Sequence, residues 1–183
     1  MNWNDELFES IKNKDLEQVK QCLANGADVN AIGYYGEPYH KTALIFALQN
    51  NRLEVAKYLI SNGANVNIKA HFDWSALMEA SYSGYLDIAK LLVAKGAHLD
   101  AKSATGWTAL MVASEEGHFE IVKFLIDKGA YFNMRNENGN TALDLAKTSE
   151  IRELLKNVSA NTPKDDFLEM LDEAMNSLSR NGF

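Results

Sequence analysis

Along most of the chain, apolar residues return in a fixed order behind a hydroxyl. Thr42-Ala43-Leu44, Ser75-Ala76-Leu77, Thr108-Ala109-Leu110 and Thr141-Ala142-Leu143 begin 33 residues apart. A small apolar residue follows each hydroxyl five positions on, at Ala47, Ala80, Ala113 and Ala146. Paired apolar positions then recur one helical turn apart. These are Val55, Ala56, Leu59 and Ile60, then Ile88, Ala89, Leu92 and Val93, then Ile121, Val122, Leu125 and Ile126. Such spacing predicts two helices per unit. The Thr or Ser hydroxyl caps the first by accepting a backbone N–H. Asn51, Gly84 or Gly117 makes the turn between the helices. Gly-Ala pairs at Gly26, Gly63, Gly96 and Gly129 end the second helix; the last three are 33 apart and the first gap is 37, so four residues are inserted between Gly26 and Thr42. An apolar stripe of this kind cannot be covered within its own helix pair, so stacked neighbours must bury it.

The ends depart from the period. Residues 4–30 read as a degenerate first unit, with Leu7 at the tripeptide leucine and Val19, Cys22 and Leu23 on the second helix. Its charges at Asp5, Glu6, Glu9, Lys12, Lys14 and Glu17 suit the polar outer face of a cap. The fifth unit is shortened: Leu143, Leu145, Ile151, Leu154 and Leu155 leave no room for the usual turn between helices. Beyond Asn157 a polar linker leads to Thr162-Pro163, an N-cap followed by proline at the first helical position. Phe167, Leu171, Ala174 and Leu178 then share one helical face. The expected division is a repeat domain over 1–157, in units of about 4–36, 37–69, 70–102, 103–135 and 136–157. A linker and amphipathic helix follow over 158–183. Two readings of that helix stand: a lid over the open end of the stack, or a tethered recognition helix.

The repeated markers resemble the ankyrin-repeat family, whose unit is a 33-residue β-turn and two helices with a Thr-Pro-Leu-His core. The resemblance covers roughly residues 4 to 157. Alanine stands for the family's proline in all four tripeptides, and Ile45, Met78, Met111 and Asp144 stand for its histidine. His40 and Asp73 occupy the place of a finger glycine, which predicts irregular first and second fingers. The resemblance implies an all-α solenoid of stacked helix pairs with β-turn or hairpin fingers, here with a C-terminal helix added. It also implies that the finger tips and the exposed side of the first helices form one concave surface for a protein or peptide.

Composition agrees with a folded domain. The 183 residues are 46% hydrophobic and 23% charged, with a net charge of −7. That acidic balance argues against nucleic acid or an anionic membrane as partner. One cysteine excludes a disulfide scaffold and suits a reducing compartment. The start of the chain lacks the basic and apolar runs of a signal peptide. A cytoplasmic location is expected, with a secreted effector as the alternative.

Catalytic chemistry finds no foothold. Cys22 lies on an inward stripe, where a thiol is ordinarily a small core residue. His40, His71, His98 and His118 lack zinc-ligand spacing. Asn136, Asn138 and Gly139 sit in a segment where Met134 and Leu145 occupy positions that a calcium loop needs for oxygen donors. No phosphate-binding glycine loop occurs. The expectation is therefore no enzyme, no cofactor and no metal.

Counting from the capping hydroxyl, the implied surface gathers Tyr39, Phe72, Trp74, Tyr82 and Trp107, and large aromatics are the usual anchors of interfaces. Lys69, Lys102 and Arg135 repeat as a basic row along the fingers. The insertion, Gly33 to His40, adds Tyr34, Tyr35 and His40, and inserted loops are common carriers of function. His71 and Glu115 complete the candidate set. For Trp74 and Trp107, packing on a neighbouring finger is an equal alternative, and the basic row reads equally as a solvated edge. The expected function is a non-enzymatic interaction module, monomeric in preference to oligomeric. Alternatives are an effector or inhibitor that blocks a target, and self-assembly through the C-terminal helix.

Overall fold

The structure, a computed structural model, describes residues 2–33 and 40–161. Helices α1 (Trp3–Lys12) and α2 (Leu16–Ala24) form the first pair. Strands β1 (Ile32–Gly33) and β2 (Lys41–Thr42) make a short antiparallel hairpin, with Ile32 opposite Thr42 and Gly33 opposite Lys41. Then come α3 (Ala43–Gln49) and α4 (Leu53–Ser61), α5 (Ala76–Tyr82) and α6 (Leu86–Ala94), α7 (Ala109–Glu116) and α8 (Phe119–Asp127), and finally α9 (Ser149–Asn161). The Tyr34, Tyr35 and Tyr39 of the insertion lie outside the described residues, as does the expected helix beyond Thr162.

The hydroxyls behave as caps. Thr42 Oγ1 accepts from Ile45 N at 3.1 Å, Ser75 Oγ from Met78 N at 3.2 Å and Thr108 Oγ1 from Met111 N at 3.3 Å. Each satisfies one of the orphan donors at a helix start. The inter-helix turn needs a left-handed residue: Gly84 has φ +75° and Gly117 φ +83°, while Asn51 (φ +55°) and Lys14 (φ +64°) do the same work in the earlier units. Lys14, a residue without glycine's freedom, was not distinguishable from a surface charge by its type.

Packing follows the repeat. The inner helices α1, α3, α5 and α7 stack in one layer and the outer helices α2, α4, α6, α8 and α9 in another. Ala47, Ala80 and Ala113 are fully buried, so the inner helices meet without bulky side chains between them. Outer-helix residues Val55, Leu59, Ile60, Ile88, Leu92, Ile121 and Leu125 are buried as their spacing predicts, whereas Val93 and Ile126 are only partly covered. Burying one such side chain contributes about 1.5–3 kcal/mol. Cys22 is buried, with its Sγ 3.8 Å from Ser10 Oγ.

Side chains also bridge the loops between units. Asn30 Oδ1 accepts from Asn65 N, Asn67 Oδ1 from His98 N, and Asp100 Oδ1 from Tyr131 N, all within 2.9 Å. Backbone bonds link the fingers: His71 N donates to the His40 carbonyl, Ala104 N to Phe72, and Glu137 N to Thr105.

The fifth unit is short in a particular way. Residues 142–145 form a turn in place of an inner helix. Asp144 Oδ2 accepts from Thr141 N at 2.9 Å and Thr141 Oγ1 at 2.8 Å, bonds that hold its carboxyl below the usual range. Lys147 N then donates to the Ser114 carbonyl of the preceding unit, so the helical ladder stops. Ile151 and Leu155 of α9 are buried and supply the outer layer directly.

Candidate functional site

The second finger, which opens the unit over 70–102, is built differently from the two that follow it. In the third, Ser103 Oγ accepts from Thr105 N at 3.3 Å and from Trp107 N at 3.1 Å. In the fourth, Asn136 Oδ1 accepts from Asn138 N and Asn140 N, both at 3.0 Å. The second has Ala70 at this place and no side-chain acceptor. Its finger closes as a short 3-10 turn over His71–Asp73, with Trp74 N on the His71 carbonyl. Phe72 and Asp73 consequently take φ +58° and +57°. A left-handed conformation is costly for a bulky residue, about 1–2 kcal/mol. It also aims the Phe72 ring outward, where the residue is 62% exposed.

Below this turn lies a cavity of about 520 Å³ between the first two fingers and the ends of α3 and α5. His40, Lys41, His71, Phe72 and Trp74 line it from the fingers; Gln49, Glu79, Tyr82 and Ser83 line it from the helices. His71 packs edge-on to His40, ring centres 5.8 Å apart, and lies 4.1 Å from the Phe72 ring centre. Tyr82, 54% exposed, lines the cavity from the end of α5. Its carbonyl is 3.0 Å from His118 Nε2, which fixes the end of α5 against the next repeat.

The floor is a carboxylate. Glu79 is 6% exposed, and its Oε2 accepts from Trp74 Nε1 at 3.0 Å and from Gln49 Nε2 at 3.1 Å. Ser83 Oγ lies 3.4 Å from Oε1. All three donors are neutral.

Of the sequence candidates, the structure brings His40, His71, Phe72, Trp74 and Tyr82 together around the cavity. Trp107 is half-buried and packs against the core, and Val112 stands in the register position that Glu79 holds one unit earlier. Lys69 is half-buried with Nζ on the Lys102 carbonyl at 2.9 Å, and Arg135 donates to the Gly139 carbonyl at 2.6 Å. These cations are tied to finger backbone, while Lys102 is exposed. Glu115 is exposed at the end of α7, away from the cavity lining.

A family profile described as ankyrin repeats in 3 copies matches residues 7–103 and 77–165. The chain belongs to the ankyrin-repeat family. No curated protein matches it. Ankyrin repeats are generally protein–protein interaction modules and typically non-enzymatic. In this ankyrin stack, no described helix is long and apolar enough to cross a membrane. Among the described residues, no group of three His, Cys, Asp or Glu could hold a metal ion.

Glu79 and Gln49 are the site residues that a search for aromatics and histidines passes over. A signal for Glu79 existed. Its register equivalents in the other ankyrin units are Phe46, Val112 and Leu145. A carboxylate in an apolar register is costly to bury and calls for a reason.

Proposed function

We propose that this ankyrin domain binds a partner protein by receiving side chains of an exposed segment in the cavity between its first two fingers. The exposure of Phe72 and Tyr82, which both line that cavity, carries the reading. Large rings beside a concave, partly polar site are typical anchors. A cavity of about 520 Å³ takes one or two side chains and no folded element, which favours a loop or extended segment as the ligand. The contact set is His40, His71, Phe72, Trp74 and Tyr82, and the acidic chain with its single buried thiol supports a cytoplasmic setting.

Affinity capture from a lysate of the source cells, with wild type and Phe72→Ala/Tyr82→Ala as parallel baits, tests this. The expected result is at least one protein retained by wild type and lost from the double variant, with thermal melts alike. Identical captures would refute the groove as binding surface.

A further inference from the structure

The floor of the groove says what kind of side chain fits it. Glu79 is a nearly buried carboxylate, yet among the described residues no cation lies within ion-pair distance of it. Lys41 also lines the cavity, and the side-chain partners of Glu79 are Trp74, Gln49 and Ser83. Three neutral donors serve it, two on Oε2 and one long contact on Oε1. A carboxylate has about four acceptor sites, so Oε1 of this cavity-lining residue retains acceptor capacity. Phe72, Trp74 and Tyr82 line the same cavity, and aromatic rings attract cations.

We infer that the groove takes an arginine side chain of the partner segment, its guanidinium donating to Glu79 Oε1 and lying against the aromatic walls. The inference rests on the groove being the binding surface. Charge complementarity selects a cation, and the protein's net charge of −7 steers a basic segment toward it. Arginine suits the site better than lysine because its planar, weakly hydrated head stacks on rings and can donate end-on to one oxygen. Were Glu79 only a strut for the Trp74 indole, a neutral glutamine would serve, since its amide oxygen also accepts that bond.

Random peptides displayed on phage, selected on the full chain and then synthesised, provide the test by fluorescence anisotropy. Groove ligands are those weakened by Phe72→Ala. They are expected to share an arginine, and replacing it by the neutral isostere citrulline should weaken binding to wild type about tenfold or more. Glu79→Gln should produce a similar loss for the arginine peptide and none for the citrulline peptide. Groove ligands indifferent to both changes would overturn the cation site while leaving the groove intact. A shared lysine would overturn the guanidinium assignment. If no selected peptide is weakened by Phe72→Ala, the groove reading itself falls, and this one with it. The citrulline arm uses unaltered protein, so the outcome stands even if Glu79→Gln folds poorly.

Discussion

The Trp74 indole N–H donates to Glu79 Oε2 at 3.0 Å, tying the second finger to the helix that follows it. Finger and helix thereby share one buried acceptor with Gln49 of the preceding repeat. Removing that acceptor strands the half-buried Trp74 N–H, while the exposed Gln49 amide can turn to water; a stranded donor costs about 1–3 kcal/mol. Glu79→Ala is therefore expected to destabilise by about 2 kcal/mol, and Glu79→Gln by under about 1 kcal/mol. Urea unfolding at unchanged m reads both. Equal losses would mean that the negative charge, which both variants remove, and not the acceptor is what the finger needs.

The architecture was legible because identical local physics recurs: a hydroxyl at each cap, alanine between inner helices and branched residues on the outer stripe all repeat every 33 residues. The site was less legible because it is made by departures from that register. Ala70 removes an acceptor that Ser103 and Asn136 supply, and the finger distorts until Phe72 points outward. Glu79 replaces an apolar residue and captures an indole that, in the next unit, only packs. Periodicity describes what units share and is silent on where one unit bends. The fifth unit shows the same limit: its cap residues read as a helix start, but the Lys147 amide is diverted to Ser114.

Gly84 carries a steric prediction. It has φ +75°, and a Cβ there would lie 2.7 Å from His118 Cε1. His118 cannot simply swing away, because its Nε2 is bonded to the Tyr82 carbonyl. Gly84→Ala should cost about 1–3 kcal/mol from strain and clash together. In a His118→Ala background the clash is gone, and the cost should fall to about 1 kcal/mol. A double-mutant cycle by chemical denaturation measures the difference. Additive losses would place the whole effect in the backbone.

Asp100 carries a pH prediction. Its Oδ1 accepts from Tyr131 N at 2.8 Å, where Asn30 and Asn67 use neutral amides for the same bond. Burial pushes the Asp100 carboxyl above its ordinary value, and the Tyr131 bond opposes this only in part. An acid with a raised folded pKa costs stability when ionised; the penalty is full above the folded pKa and disappears below the unfolded one. Asp100→Asn keeps the acceptor and removes the charge. It should raise Tm by about 1–3 °C near pH 7. Near pH 3, where the acid is protonated in both states, the gain should vanish. Melts followed by circular dichroism at the two pH values decide it; an equal gain at both would remove charge as the cause.

Phe72 sets stability against binding. Its φ of +58° is unfavourable for a bulky side chain, and with 62% exposure the ring receives little burial in return. Glycine adopts that conformation freely, though it gives up about 0.5–1 kcal/mol through greater freedom in the unfolded chain. Relief of about 1–2 kcal/mol of strain should match or exceed this loss. Phe72→Gly is thus expected to leave Tm unchanged or raise it by up to about 3 °C. The same change should weaken any groove ligand by about tenfold, because a central aromatic anchor is lost. Differential scanning calorimetry beside anisotropy with a selected peptide separates the two effects. A clear fall in Tm would assign the ring to packing, and the strained turn would then need an explanation in folding instead of recognition.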